Sequence, residues 1–250
     1  MQGLMIGVTG EFLSGKSTIT RIIKKRFPGT PSARYSDALR EYLQWVNIKF
    51  SGHQIFPSGG YSCIESELKK IFYPEVLERT VIPNALPEFV FWMITRWGGK
   101  YHFCVKEDRT NLQELSTVLR STFAENILER AVASRIEKMQ SPTPIQGIIE
   151  GVRRLVDIGT LLNDPLYRDR FKLLYLECTP EVAFHRMQGR KENTDDATMT
   201  WEQFQLLRSA EAENQIQLLR SHAHALIHNN ETEKVLSASL DVVVDGWISE

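Results

Sequence analysis

Leu4-Met5-Ile6-Gly7-Val8-Thr9-Gly10-Glu11-Phe12-Leu13-Ser14-Gly15-Lys16-Ser17-Thr18 is the stretch that decides the fold. Its first six residues form a short apolar run that stops at glycine, the pattern of a strand buried on both faces of a parallel sheet. From Ser17 to Phe27 the apolar residues Ile19, Ile22, Ile23 and Phe27 take helical spacing. Between them, Gly10–Ser17 satisfies G-x-x-x-x-G-K-[ST] at every fixed position, in the strand-then-helix context that this motif requires.

The chemistry of that loop follows from its residue types. Glycines let backbone N–H groups turn inward around a phosphate at the positive end of a helix. Residues Gly10, Glu11, Phe12, Leu13, Ser14, Gly15, Lys16, Ser17 and Thr18 are therefore expected to cradle a nucleoside triphosphate. Lys16 would neutralise charge on the β- and γ-phosphates. Ser17 would offer its hydroxyl to Mg²⁺, which prefers hard oxygen ligands and keeps several waters. The loop leaves the reaction open, because GTPases, motor ATPases and small-molecule kinases all share it.

Downstream, strand and helix patterns alternate. Ala33–Ser36 reads as a second strand leading into a helix at Asp37–Val46, Gln146–Glu150 as a third strand, Phe171–Cys178 as a fourth and Ala223–His228 as a fifth. Amphipathic helices are expected at Leu112–Gln140 (broken once), Pro180–Gln188, Trp201–Ser221 and Glu231–Val244. This alternation implies right-handed crossovers and a parallel sheet covered on both sides. The expected class is α/β, a three-layer P-loop NTPase fold with a five-stranded parallel sheet. Residues 44–108 break the rhythm: they carry prolines at 57, 74, 83 and 87 and twelve of the chain's twenty-four aromatics. They are too apolar to be disordered and read as an inserted subdomain, with 1–43 and 109–250 as the core.

Composition narrows the function classes. The 250 residues are 42% hydrophobic with a net charge of −1, so no global basic field argues for nucleic acid or an anionic membrane. The apolar amino terminus is short and lacks a basic leader, which argues against a signal peptide or a membrane span. Cys63, Cys104 and Cys178 are scattered without metal-ligand spacing, so a reducing, cytoplasmic compartment is the expectation. Cys178, ending a core strand, reads as a small buried hydrophobe.

Four further segments resemble the nucleoside monophosphate kinase group of P-loop proteins, and they occur in that group's order. Tyr35-Ser36-Asp37-Ala38-Leu39-Arg40 is similar to the G-D-x-L-R segment of adenylate kinases and the S-D-x-L-R of phage-type deoxynucleoside monophosphate kinases. The resemblance implies that Asp37 orders magnesium-bound water and that Arg40 holds the acceptor's phosphate. Ile148-Ile149-Glu150-Gly151-Val152-Arg153-Arg154 is similar to the D-G-x-x-R and D-G-x-R segments of the same enzymes, with glutamate in place of aspartate. It implies a water-mediated magnesium contact for Glu150 and an acceptor contact for Arg153 or Arg154. Which arginine stays open, since the two patterns align differently.

His185-Arg186-Met187-Gln188-Gly189-Arg190 resembles the R-x-x-G-R opening of the adenylate kinase lid, here at about 186–200. Arg186 and Arg190 would clamp the triphosphate and spread the charge of the transferring group. Arg208, in the following helix, is a weaker addition to the same role. Thr110-Asn111-Leu112-Gln113-Glu114-Leu115 with the downstream Arg120 resembles the acceptor-side helix of phage-type and archaeal deoxynucleotide-kinase-like proteins, and Leu226-Ile227-His228-Asn229-Asn230 resembles the closing strand and turn of dephospho-coenzyme A kinases.

The function these readings imply is ATP- and Mg²⁺-dependent phosphoryl transfer to a nucleoside or deoxynucleoside monophosphate. A phosphate acceptor is already ionised at neutral pH, so no general base is needed. Two alternatives stay open. One is dephospho-coenzyme A kinase or another small-molecule kinase, where Asp37 becomes a candidate base for a hydroxyl. The other is a nucleotide-dependent regulatory ATPase. The aromatics of 44–108 read first as that subdomain's own core, then as a stacking pocket for the acceptor, then as a partner or homodimer surface.

Overall fold

The computed structural model describes residues 3–50, 60–72, 81–97, 105–189, 199–208 and 211–250. The five strands are β1 (Leu4–Gly10), β2 (Ser32–Arg34), β3 (Ile145–Glu150), β4 (Phe171–Glu177) and β5 (Ala225–His228). They form one sheet in the order β2-β3-β1-β4-β5, and it is parallel throughout. β1 lies third in this order, and all seven of its residues are buried. That burial is why its sequence is a continuous apolar run instead of an alternation.

The chain divides into two compact units, 1–33 with 136–250, and 34–135. In the first unit, α1 (Lys16–Arg26) and α11 (Glu233–Ser249) cover one sheet face. Ile19, Ile22 and Ile23 of α1 and Leu236, Leu240 and Val244 of α11 meet Leu4, Ile6, Val8, Ile148, Leu174, Leu176 and Ile227 in one core. Arg26 ties the two helices at their surface, donating to Asp241 at 2.8 Å and pairing with Asp245. The opposite sheet face carries Met5, Ile149, Phe171, Leu173 and Tyr175, all fully buried. On that face Ile136, in α6 (Ile127–Lys138), lies where a side chain on Gly147 would be: a Cβ there would come within 2.6 Å of its Cδ1.

The second unit is helical: α2 (Tyr35–Phe50), α3 (Gly60–Phe72), α4 (Val81–Trp97), α5 (Arg109–Thr122) and most of α6. Its aromatics pack on one another: Tyr42 lies 5.8 Å from Phe72 and 6.0 Å from Phe89, and Phe89 lies 5.3 Å from Phe123. Tyr42, Phe50, Phe72 and Phe89 are fully buried, so these rings form the unit's own core. The unit is wider than the expected 44–108 insert. α2 and α5 flank that segment in sequence, yet they pack with α3 and α4.

Most element boundaries shift by one to three residues from expectation. The break expected within 112–140 falls at Phe123–Asn126. Within the expected Trp201–Ser221, the described residues form α9 (Trp201–Arg208), α10 (Glu211–Leu218) and a 3₁₀ turn at Leu219–His222. A 3₁₀ turn at Leu155–Asp157 and the short α7 (Gly159–Asn163) follow β3 without a sequence signal that was read. α8 spans Pro180–Gly189.

The start of β5 is fixed by His224, whose N–H donates to the Leu173 carbonyl at 2.8 Å and whose Nδ1 accepts from the Leu173 N–H at 2.9 Å. Burial, aided by Lys172 and opposed by Glu250, holds this imidazole below the ordinary histidine value of 6.5. As pH falls, the unfolded chain therefore takes up this proton before the folded one does. The contribution is fully present above pH 6.5 and is lost as pH falls from there through the lowered folded value. Urea unfolding between pH 7.5 and 5 is expected to show a midpoint that drops on acidification. In His224→Asn, where an amide oxygen can accept the same N–H without titrating, the dependence flattens.

Candidate functional site

In a parallel sheet, ligands gather at the carboxyl ends of the strands, and the first unit places its polar groups there. β1 runs into the loop at Gly10, whose φ is +141°. Leu13 (φ +60°) and Gly15 (φ +100°) continue the turn, and α1 begins at Lys16 with no acidic residue in its first turn. The Ser14 N–H donates to the Glu11 carbonyl at 3.2 Å, which closes the loop on itself. Lys16 folds back over it, its Nζ donating to the carbonyls of Gly10 (2.7 Å) and Glu11 (2.6 Å). The positive end of α1 and the Lys16 ammonium therefore meet at the same loop.

Segments distant in sequence brace this loop. The Thr9 hydroxyl donates to the Val152 carbonyl at 2.8 Å, tying the end of β1 to the turn after β3. That turn is held from behind by buried Asp157, which accepts from the N–H groups of Arg153 (3.2 Å) and Arg154 (3.0 Å). After β5, Asn229 is buried and its Nδ2 donates to the Ser14 carbonyl at 2.8 Å. Arg186, on α8, donates from Nη1 to the Leu13 carbonyl (3.3 Å) and from Nη2 to the carbonyl (2.9 Å) and Oδ1 (3.2 Å) of Asn229. A Cβ on Gly15 would lie 2.3 Å from Asn229 Nδ2, so space as well as dihedral angle demands glycine there.

The loop's only carboxylate, Glu11, pairs with Arg208 at the end of α9. Cys178 is buried beside the loop, its Sγ 3.8 Å from the Leu13 carbonyl. Burial pushes its thiol up from the ordinary value, against the opposing pull of Arg186, Arg208 and Lys16. A thiol held protonated is a packing group, not a nucleophile.

The site residues read from sequence fall into three groups. Gly10–Thr18, Glu150, Arg153, Arg154 and Arg186 belong to the first unit. Gly10, Gly15, Lys16 and Arg186 meet at the loop, while Ser17 is exposed on the first turn of α1. Glu150 ends β3 opposite Val8 in register, and Arg153 and Arg154 are both exposed just beyond it. Asp37, Arg40 and Arg120 belong to the second unit. There Asp37 accepts the Arg34 N–H at 2.7 Å, capping the start of α2. Arg40 pairs with Glu107, and Arg120 donates to the Glu125 carbonyl at 2.6 Å. Gln44 (3.2 Å) joins Arg40 on Glu107 and holds that carboxyl below its ordinary range, while Asn47 exchanges two hydrogen bonds with Val105 (2.9 and 2.8 Å). Arg190 and most of the lid lie outside the described residues.

Asp157 was not read from sequence, and Asn229 was read only within the Leu226–Asn230 resemblance, with no role of its own. Asp157 accepts from backbone N–H groups, and Asn229 bonds both a backbone carbonyl and the Arg186 guanidinium. Among the described residues, no cluster of three or more His, Cys, Asp or Glu could hold a metal ion, and no helix is long and apolar enough to cross a membrane.

No protein-family model matches the chain, and no curated protein matches it. Among solved structures it is similar to TT1252 from Thermus thermophilus, with 18% identity, 98% of each chain covered and a TM-score of 0.46. It is also similar to a dephospho-CoA kinase from Campylobacter jejuni (14%; 99% and 98% covered; TM-score 0.43). A shikimate kinase from Bacteroides thetaiotaomicron is a third (12%; 97% and 98% covered; TM-score 0.47). At such distance these likenesses assign nothing to this chain, and the functional reading rests on its own residues.

Removing the Asn229 side chain strands the buried Ser14 carbonyl and takes from Arg186 Nη2 one of its two acceptors, the Asn229 backbone carbonyl remaining. Asn229→Ala is expected to cost about 1–3 kcal/mol of stability, the usual penalty for orphaned buried polar groups. Asn230→Ala removes only an exposed bond to the Thr179 N–H and should cost less than about 1 kcal/mol. Urea titration of the two variants checks the contrast.

Proposed function

We propose that the chain is an ATP- and Mg²⁺-dependent phosphotransferase whose acceptor is a nucleoside or deoxynucleoside monophosphate. The observation that carries this reading is the loop itself: Lys16, the first turn of α1 and two glycines of positive φ are brought together at the carboxyl edge of a parallel sheet. Its fit to a polyphosphate can be tested on the residues present. Among the described residues the Ser14 hydroxyl is buried in the loop without a hydrogen-bond partner, and the Lys16 ammonium is spent on the loop's own carbonyls. A phosphate chain supplies acceptors for such donors.

Ser17 would hold Mg²⁺ directly, and Asp37 and Glu150 through water. That ion neutralises phosphate charge, and it needs few protein ligands because waters and phosphates complete its shell. Lys16 fixes the donor phosphates. Arg186, already tied to the loop, keeps a guanidinium beside them, and Arg190 adds a second in this reading. Arg40, with Arg153 or Arg154 and with Arg120, is assigned to the acceptor's phosphate on the strength of the segments' order along the chain. Phosphoryl transfer asks a protein mainly for positioning and electrostatic stabilisation, which these groups supply.

A panel assay decides the acceptor. The chain is incubated with Mg²⁺, ATP and each nucleoside monophosphate, deoxynucleoside monophosphate or dephospho-coenzyme A in turn, and ADP is scored. Acceptor-dependent ADP formation with a monophosphate is expected. It should fall about 100-fold or more in Lys16→Ala, the scale of losing one pre-organised charge contact. Arg40→Ala should chiefly raise the KM for the acceptor. ADP formed only with dephospho-coenzyme A moves the acceptor to a hydroxyl. Slow hydrolysis indifferent to every acceptor sinks the kinase reading.

A further inference from the structure

Glu11 is an anomaly in a cradle for anions. It is the only carboxylate between Gly10 and Thr18, and its backbone carbonyl already receives the Lys16 ammonium at 2.6 Å. A bare negative charge there would oppose any polyphosphate that the lysine and the helix end attract. Arg208 meets that charge: its Nη2 donates to Glu11 Oε2, and the two side chains are only 16% and 18% exposed. In such shelter a charge pair is screened far less than at the surface.

The next residue makes a second contact with the same helix. Phe12 packs against Phe204 of α9, ring centroids 6.4 Å apart, and Phe204 is fully buried between Trp201 (5.6 Å) and Phe184 of α8 (5.3 Å). The Arg208 guanidinium lies 5.9 Å from the Phe204 ring centroid, within cation–π range. Consecutive loop residues thus engage α9 one turn apart, one by charge and one by ring packing. Among the described residues Arg208 Nη1 is buried without a hydrogen-bond partner, so the Glu11 carboxylate is what offsets burying this cation.

We infer that Glu11 and Arg208 form a latch that docks α9 on the phosphate loop, and that Arg208 is a positioning residue whose charge cancels that of Glu11 within the cradle. In this assignment Arg208 acts on a bound phosphate through Glu11 and not by touching it. The charge-cancelling half rests on the triphosphate reading of the loop; the docking half stands without it.

Two measurements separate these. In the nucleotide-free protein, Glu11→Gln and Arg208→Ala should each speed amide hydrogen exchange in Trp201–Arg208 by about tenfold, the worth of one charge-assisted bond, while β1 and β4 keep their protection. Unchanged exchange in α9 overturns the latch, whatever the ligand. For Mg-ATP binding, followed by calorimetry, Arg208→Ala should weaken affinity about tenfold, Arg208→Lys by no more than about threefold, and Glu11→Gln/Arg208→Ala should recover most of the loss. A double variant as weak as Arg208→Ala means that Arg208 binds phosphate itself, and the charge-cancelling role falls. Wild-type protein that takes up no Mg-ATP removes the triphosphate reading and the charge-cancelling role with it, while exchange in α9 still decides the latch.

Discussion

Gly10 passes so close to β4 that a Cβ there would lie 2.1 Å from the Leu176 carbonyl oxygen. The rest of the carboxyl edge depends on this approach. β1 keeps its parallel register with β4 up to the Gly10–Leu176 pair and then turns with positive φ, so the loop begins at the rim of the sheet. Any side chain at that position would push the strand from its neighbour or the loop from its axis. The buried apolar faces of β1 hold the approach in place, since moving the strand would open gaps in a close-packed core.

From that point the loop is organised by groups that chain order keeps far apart. Val152, Arg186, Arg208 and Asn229 come from the segments that follow β3, β4 and β5, and each reaches the loop or its threshold. Parallel topology explains the convergence, because every right-handed crossover returns its following turn to the same edge. Rigidity then comes from redundancy. Arg186 and Asn229 hold each other as well as the loop, so neither side chain is free to leave its rotamer alone.

Sequence patterns exposed the sheet well and the helical unit poorly, for identifiable reasons. Strands buried on both faces, such as Leu4–Gly10 and Phe171–Glu177, write their burial as uninterrupted apolar runs. In 34–135 the boundary vanished because α2 shares one continuous amphipathic pattern across residue 43, and packing with α3 and α4 leaves no local mark. At the site, Lys16 and the glycines announced themselves through fixed spacing. Glu11 did not, because that position of the motif accepts any residue; its partner Arg208 stands 197 residues away. Asn229 was quoted within the closing segment without a role, because the Ser14 carbonyl that it braces carries no sequence signature.

The hydrogen bond from Asn229 to the Ser14 carbonyl spans 215 residues, and this has a consequence for biosynthesis. A ribosome adds about 5–20 residues each second. The nascent chain therefore carries the loop for about 10–40 s before the residue that braces it has been made. Over that interval β1 also waits for both of its strand neighbours, which are the distant β3 and β4. The loop written first is among the last parts completed, so a ribosome-bound fragment that ends before β5 holds every residue of the motif and lacks its brace.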